Sequence, residues 1–214
     1  QPARPTVVLV HGAFADSSSW NGVTRILQKD GYTVVATANP LRSVSGDATY
    51  VSDVVGSIEG PVVLVGHSYG GQVITNAAKG HDNVKSLVYV AAFAPEVGEA
   101  AADLAGKFPG GTLGEALAAP VTLADGGVDL SIDQSKFHHQ FAHDVSAEDA
   151  ALMAAGQRPI TELALTEKSK EPAWKAFPSY FIYGDGDRNI PAKALGFMAD
   201  RAGSKRTVVI EGAS

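Results

Sequence analysis

The chain has 214 residues, 17 basic and 23 acidic side chains, a formal net charge of −6 and 45% apolar content. That length supports a single domain or a domain with one insertion, and an acidic balance with no long basic run argues against nucleic acid or an anionic membrane as partner. With no Cys in the chain, disulfides, thiol nucleophiles and thiolate metal sites are excluded, so a covalent catalyst would have to be Ser, Thr, Lys or a carboxylate.

Gln1-Pro2-Ala3-Arg4-Pro5 reads as a short polar leader. It is what a removed signal peptide or tag would leave, so a soluble protein of the cytoplasm, the periplasm or the exterior is expected. No apolar run is long enough to span a bilayer. Thr6 to Val10 is an apolar, β-branched run that ends in His11-Gly12-Ala13-Phe14, a first strand followed by a Gly-containing loop. The spacing of Val23, Ile26 and Leu27 predicts a helix from about Trp20 to Asp30 with those three on its inner face, stopping at Gly31. Thr33 to Ala36 is the next strand, and Asn39-Pro40-Leu41 breaks the pattern. A helix starting at Asp47 or Thr49 then carries Val51, Val54, Val55 and Ile58 inward.

The most informative stretch is Pro61 to Gly71, where Val62-Val63-Leu64-Val65 runs into Gly66-His67-Ser68-Tyr69-Gly70-Gly71. An unbroken apolar run without polar alternation fits a parallel strand buried on both faces. An Ala-rich helix from Gln72 to Lys79 follows and closes at Gly80. Between them Ser68 is expected at the apex of a strained turn, with Gly66 and Gly70 lacking the Cβ atoms that would clash as the backbones converge. A further strand spans Lys85 to Val90. Alternating strands and helices specify a doubly wound, mostly parallel sheet with helices on both faces and ligands at the carboxyl ends of its strands.

After Pro95 the rhythm changes: no convincing apolar strand is visible up to Pro172, and Gly, Ala and short helical stretches dominate. This segment is read as an inserted helical cap over 96–172, dividing the core into 1–95 and 173–214. Ser146-Ala147-Glu148-Asp149 matches a capping box and starts one cap helix. Gly110-Gly111 and Asp125-Gly126-Gly127 are expected turns. The sheet resumes at Ser179 to Tyr183, followed by Gly184-Asp185-Gly186-Asp187, a helix from Pro191 to about Ala202 and a last strand from Thr207 to Ile210.

The His11 loop, the Ser68 elbow and the Tyr183-Gly184-Asp185-Gly186-Asp187 turn together resemble the α/β-hydrolase family, over essentially the whole chain. The opening and the small cap are similar to the branch of methyl-ester esterases and hydroxynitrile lyases. The resemblance implies a small ester substrate, an acyl-enzyme on Ser68, no cofactor and no metal. It implies an oxyanion hole from the backbone N–H of Tyr69 and one from the first loop, Ala13 ahead of Phe14, with Phe14 able to line the acyl pocket instead. Asp187 is the implied triad acid, ahead of Asp185. A lyase using the same triad, or a non-catalytic binding protein on this scaffold, are the other readings open at this point.

The chain departs from the family pattern at the base. In the family the catalytic His follows the final strand, where this sequence reads Glu211-Gly212-Ala213-Ser214. The expectation is a His directly after Ser214 together with a final helix over the last strand, lost by truncation or held as a separate cleaved piece of the same protein. His11 is expected to be a structural partner under the oxyanion loop, His67 to point away from Ser68, and His81 to sit in a surface turn. His139 and His143 have the i, i+4 spacing of metal ligands, but the absence of an accompanying Glu favours solvent or the cleft. Phe137 and Phe141 would then bury the face of the cap helix that also bears His138.

Overall fold

The computed structural model describes residues 2–214. Its sheet has six parallel strands, β1 (Thr6–Val10), β2 (Val34–Thr37), β3 (Val62–His67), β4 (Val84–Val90), β8 (Ser179–Gly184) and β9 (Thr207–Ile210), in the order β2-β1-β3-β4-β8-β9. The central runs β1 and β3 are packed on both faces, as buried parallel strands are, while the edge strand β9 keeps Val209 and Ile210 51% and 46% exposed. Successive residues of β1 alternate between two clusters. Val8 and Val10 join Leu64 and the helix residues Val51, Val55, Val73 and Ile74. Val7 and Leu9 join Val65 and Trp20 on the other side. A one-residue slip would exchange the two sets, so the burial itself holds the register.

Helices α1 (Asn21–Lys29), α2 (Val44–Gly56), α3 (Tyr69–Ala77) and α8 (Ala192–Arg201) are the main helices of the core. The α2 helix begins earlier than the apolar pattern indicates, because the Ser43 hydroxyl accepts the Gly46 N–H and satisfies the first turn. The α1 helix differs from expectation in its packing. Val23 and Ile26 are 43% and 64% exposed, and Leu27 alone of the three packs inward, against Trp20. Trp20 ends a short 3₁₀ turn ahead of α1 and is the buried aromatic on this face of the sheet, where Val63, Val88 and Val90 stay only partly buried.

Between β4 and β8 the chain leaves the sheet. This segment holds α4 (Ala101–Ala105), β5 (Val121–Thr122), β6 (Val128–Leu130), α5 (Gln134–Phe141), α6 (Ala147–Ala155), β7 (Ile160–Thr161) and α7 (Glu162–Thr166). The first half of the expected capping box is present, with Ser146 Oγ accepting from Asp149 N–H at 3.1 Å, and it starts α6 where expected. The three strands form a small antiparallel sheet that the apolar pattern does not announce. They are two or three residues long, too short to carry a period, and β5 is exposed. Among the described residues no helix is long and apolar enough to cross a membrane.

Two consecutive connections out of the sheet set the position of everything described below. The strand order reverses at β1, with β2 on one side and β3 on the other, so the loops after β1 and β3 open a crevice at their carboxyl ends. The α3 helix enters that crevice because Gly70 and Gly71 let its first turn lie against backbone. A Cβ at Gly70 would collide with the Val10 carbonyl, and one at Gly71 with the Phe93 carbonyl.

Gly71→Ala is therefore expected to destabilise the fold by about 1–3 kcal/mol through overpacking. Gly22→Ala, at a helical position with nothing within 4 Å of the added methyl, is expected to be neutral or to stabilise by up to about 1 kcal/mol. Urea denaturation of the two variants beside the parent measures both.

Candidate active site

Ser68 has φ 52° and ψ −123°, a left-handed conformation that a non-glycine residue adopts only when its surroundings impose it. The surroundings are visible. The Ser68 carbonyl accepts from Gly71 N–H and Phe93 N–H, at 2.9 and 3.1 Å, and its own N–H donates to the Val90 carbonyl. A Cβ at Gly66 would lie 2.5 Å from the Gly70 carbonyl oxygen, and one at Gly12 would lie 2.8 Å from Ser68 Cβ. Three glycines thus let β1, β3 and the start of α3 meet, and the serine projects at the meeting point.

Two backbone donors accompany it. Tyr69 N–H opens α3 and Ala13 N–H lies in the loop after β1; among the described residues neither has a hydrogen-bond acceptor. Both residues line the same cavity as Ser68. Phe14 N–H, the other sequence candidate, donates instead to the Arg158 carbonyl at 3.0 Å. That bond takes Phe14 out of the donor set and leaves its ring as a wall of the cavity.

The Ser68 cavity has a volume of about 420 Å³, a size that suits a small organic ligand. Its floor is Ser68, Tyr69 and Phe93, and its roof comes from the segment between β4 and β8, including Ala101, Leu117 and Leu165. Tyr69 is its one ionisable lining side chain among the described residues. Burial pushes the Tyr69 phenol far above its ordinary range, with Asp47 beside it adding to the effect.

Asp187 sits in the turn after β8. One carboxylate oxygen accepts from Asn189 N–H at 2.8 Å and Ile190 N–H at 2.9 Å, and burial holds the carboxyl above its ordinary value despite these donors and the nearby His143. Asp185 is exposed and accepts the Gly212 N–H at 2.6 Å, a turn contact. The Asp187 turn is also tied to the segment above. Gln140 Nε2 donates to the Arg188 carbonyl and to Asn189 Oδ1, both at 2.9 Å, from a position only 4% exposed.

The six histidines divide by their partners. The His11 ring is buried: Asn39 N–H donates to its Nε2 at 3.0 Å, which leaves Nδ1 to donate to the Gly12 carbonyl at 2.8 Å. Both nitrogens are committed, and burial lowers its pKa. His67 packs edge-on to Trp20 and Phe141, and the protein around it pushes the imidazole down to about 4, with His11 contributing. His81 bonds Ser52, and His138 bonds the Val145 carbonyl. His139 is exposed. His143 Nε2 meets the Gly186 carbonyl at 3.1 Å, which puts it beside the Asp187 turn. None of these rings bonds Ser68 or Asp187 among the described residues. Nor do three or more His, Asp and Glu side chains gather there into a metal-binding group.

Asp47 was legible only as a helix-start residue. In the fold it is 1% exposed, takes the Tyr69 hydroxyl at 2.7 Å and the Arg42 N–H at 3.2 Å, and thereby anchors the ring of the residue that follows Ser68.

Residues 7–214 match the family model described as "Alpha/beta hydrolase family", and the chain belongs to that family. Among curated relatives it is 38% identical over 105 residues to a carbendazim hydrolyzing esterase of Nocardioides sp. (strain SG-4G), covering 43% of this chain and 43% of that protein. The match therefore spans less than half of that esterase's length. An alpha/beta hydrolase of Aspergillus novofumigatus is 28% identical over 209 residues, covering 88% of this chain and 80% of the relative. The crystal structure of polyneuridine aldehyde esterase superposes with a TM-score of 0.82 at 18% identity, covering 97% of this chain and 91% of that one. The fold is that of the α/β-hydrolases.

Burial of Asp47 raises its pKa above the usual carboxylate value. The folded carboxyl then holds its proton to higher pH than the unfolded one, so its ionisation costs folding free energy, increasingly so as pH rises from the ordinary value through the folded one. Asp47→Asn removes that cost. Relative to the parent, the variant is expected to gain stability as pH rises above the ordinary carboxylate value, the gain levelling off once the folded carboxyl has ionised, read from urea denaturation at each pH. A pH-independent difference would contradict it.

Proposed function

We propose that the protein is a serine carboxylesterase acting on small, uncharged, hydrophobic or aromatic esters. The observation that carries this reading is the left-handed Ser68 at the base of an apolar cavity that two acceptor-free N–H groups, of Ala13 and Tyr69, also line. Ser68 Oγ attacks the carbonyl carbon and gives its proton to a base, while the carbonyl oxygen, now negative, is held by the two amides. The tetrahedral species collapses, the C–O bond to the alcohol breaks, and the base returns the proton to the leaving oxygen. Water, deprotonated by the same base, then releases the acid and regenerates Ser68.

Asp187 is the proposed partner that fixes the tautomer of the base. One of its oxygens is already occupied by the Asn189 and Ile190 amides, so the carboxylate is aimed by backbone before any imidazole meets it. The proposed base is the histidine expected directly after Ser214. Its support is positional: the Ala213 carbonyl accepts the Gly186 N–H at 2.9 Å, and Ser214 bonds Asp144 through its N–H and hydroxyl, so the chain runs alongside the Asp187 turn as it reaches Ser214. The cavity lining supports an uncharged substrate, since alanines, phenylalanines and leucines cannot compensate a charged acyl group for lost hydration.

Ser68→Ala is expected to leave the denaturation curve unchanged and to lower kcat for p-nitrophenyl butyrate by about 10⁴ or more. A fluorophosphonate should label Ser68 in the parent; absence of labelling in a protein that includes the histidine would overturn the reading. Asp187→Asn should cost about 10⁴ in kcat, with Asp185→Asn well under that. A larger loss for Asp185→Asn would exchange the two roles. Undiminished activity in material shown by intact mass to end at Ser214 would instead direct attention to His143 as base.

A further inference from the structure

The Ser68 cavity is not the only hollow that Phe14 borders. A second, of about 720 Å³, lies between the start of α1 and the α6 helix and shares Phe14 with the first. Its two sides differ. The α6 side presents Val145, Leu152 and Met153, with Leu152 69% exposed, and one acidic residue, Asp149. The α1 side presents Asp16, Asn21 and Arg25, and Arg25 makes no ion pair among the described residues. The groove is therefore amphipathic where the inner cavity is apolar.

The Phe14 ring is held at this boundary from three directions. Its backbone is left-handed at φ 61°, its N–H is bonded to the Arg158 carbonyl, and its ring stands edge-on to Phe141 at 6.2 Å. It is 3% exposed although it faces two hollows, so protein packs closely around its edges. Phe14 is the one residue that lines both hollows.

We propose that Phe14 is a specificity-determining residue that closes the Ser68 cavity against this outer groove. Where the ring is cut back, the groove becomes a second subsite for the longer arm of an ester whose compact apolar arm occupies the inner cavity. With the ring in the position seen here, an ester is limited to what the inner cavity holds. Cutting the ring back joins the two spaces, and each additional methylene that enters the groove leaves water.

This inference rests on the esterase reading for its kinetic test, and a binding test separates the two. The kinetic readout is the ratio of kcat/KM for p-nitrophenyl decanoate to that for p-nitrophenyl butyrate. Phe14→Ala is expected to raise that ratio by about tenfold or more, the effect of burying two or more further methylenes, and Phe14→Leu to raise it by a smaller factor. Adding Met153→Trp to Phe14→Ala refills the groove from its far side and should return the ratio towards that of the parent. An unchanged ratio in both Phe14 variants, or a gain that survives Met153→Trp, would overturn the proposal. Decan-1-ol binding by calorimetry needs no chemistry at Ser68: tightening in Phe14→Ala or Phe14→Leu, relative to butan-1-ol, is expected even if the esterase reading fails. No tightening in either variant defeats the proposal whatever the enzyme does.

Discussion

The structure depends on one close approach, that of the first turn of α3 to the ends of β1 and β3. Gly12, Gly66 and Gly70 stand where any Cβ would strike backbone or the Ser68 side chain. Their absence of a side chain is what allows a buried parallel strand to turn directly into a buried helix. Ser68 takes the left-handed conformation because its carbonyl and N–H are both bonded to the β4 end, at Val90 and Phe93. The conformation costs about 1–3 kcal/mol locally, and it is over-determined by the surrounding hydrogen bonds and by a core in which Leu64, Val73 and Ile74 have no exposed surface. The strain is thus held by the most rigid part of the fold.

The segment between β4 and β8 makes the site a closed space and also holds the pieces beneath it. The Arg158 carbonyl takes the Phe14 N–H, Gln140 binds the Asp187 turn, and Arg42 reaches the Pro159 carbonyl at 2.8 Å and Asp129 at 2.8 Å. These contacts couple the loop after β1 and the turn after β8 to the same roof. A change in that roof would move the walls of the cavity as well as its lid.

Electrostatics divides the buried polar groups into two sets. His11 and the Asp47–Tyr69 pair face hydrogen-bond partners from neighbouring loops and serve to hold Asn39 and the start of α3 in place. Asp187 differs, because only one of its oxygens is taken by backbone donors. An acid that satisfies its own turn and keeps an acceptor spare can orient a further group.

The order of strands and helices, the Gly-x-Ser-x-Gly elbow and the Ser146 N-cap were readable because each is a local pattern: an apolar run, a set of residues without Cβ, a side chain that accepts the N–H three residues on. The same locality explains what was misread. Val23 and Ile26 have helical spacing yet stay exposed, because spacing does not say which side of a helix comes to lie on the sheet, and β5, β6 and β7 are too short to show a period. Which loop amide is spare was decided by tertiary structure alone: Ala13 and Phe14 are neighbours of equal backbone chemistry, and a carbonyl 144 residues away, at Arg158, takes one N–H and leaves the other. Likewise the sequence by itself determined that a serine stands at the elbow and two Asp residues in the turn after β8, because those are residue types and local turns. Only the packing of distant segments decided that Asp187 is the less exposed of the two Asp residues in its turn, that Asp47 anchors Tyr69 and that Phe14 lines two cavities, because burial and hydrogen-bond partnership are properties of what comes to lie beside a residue in space.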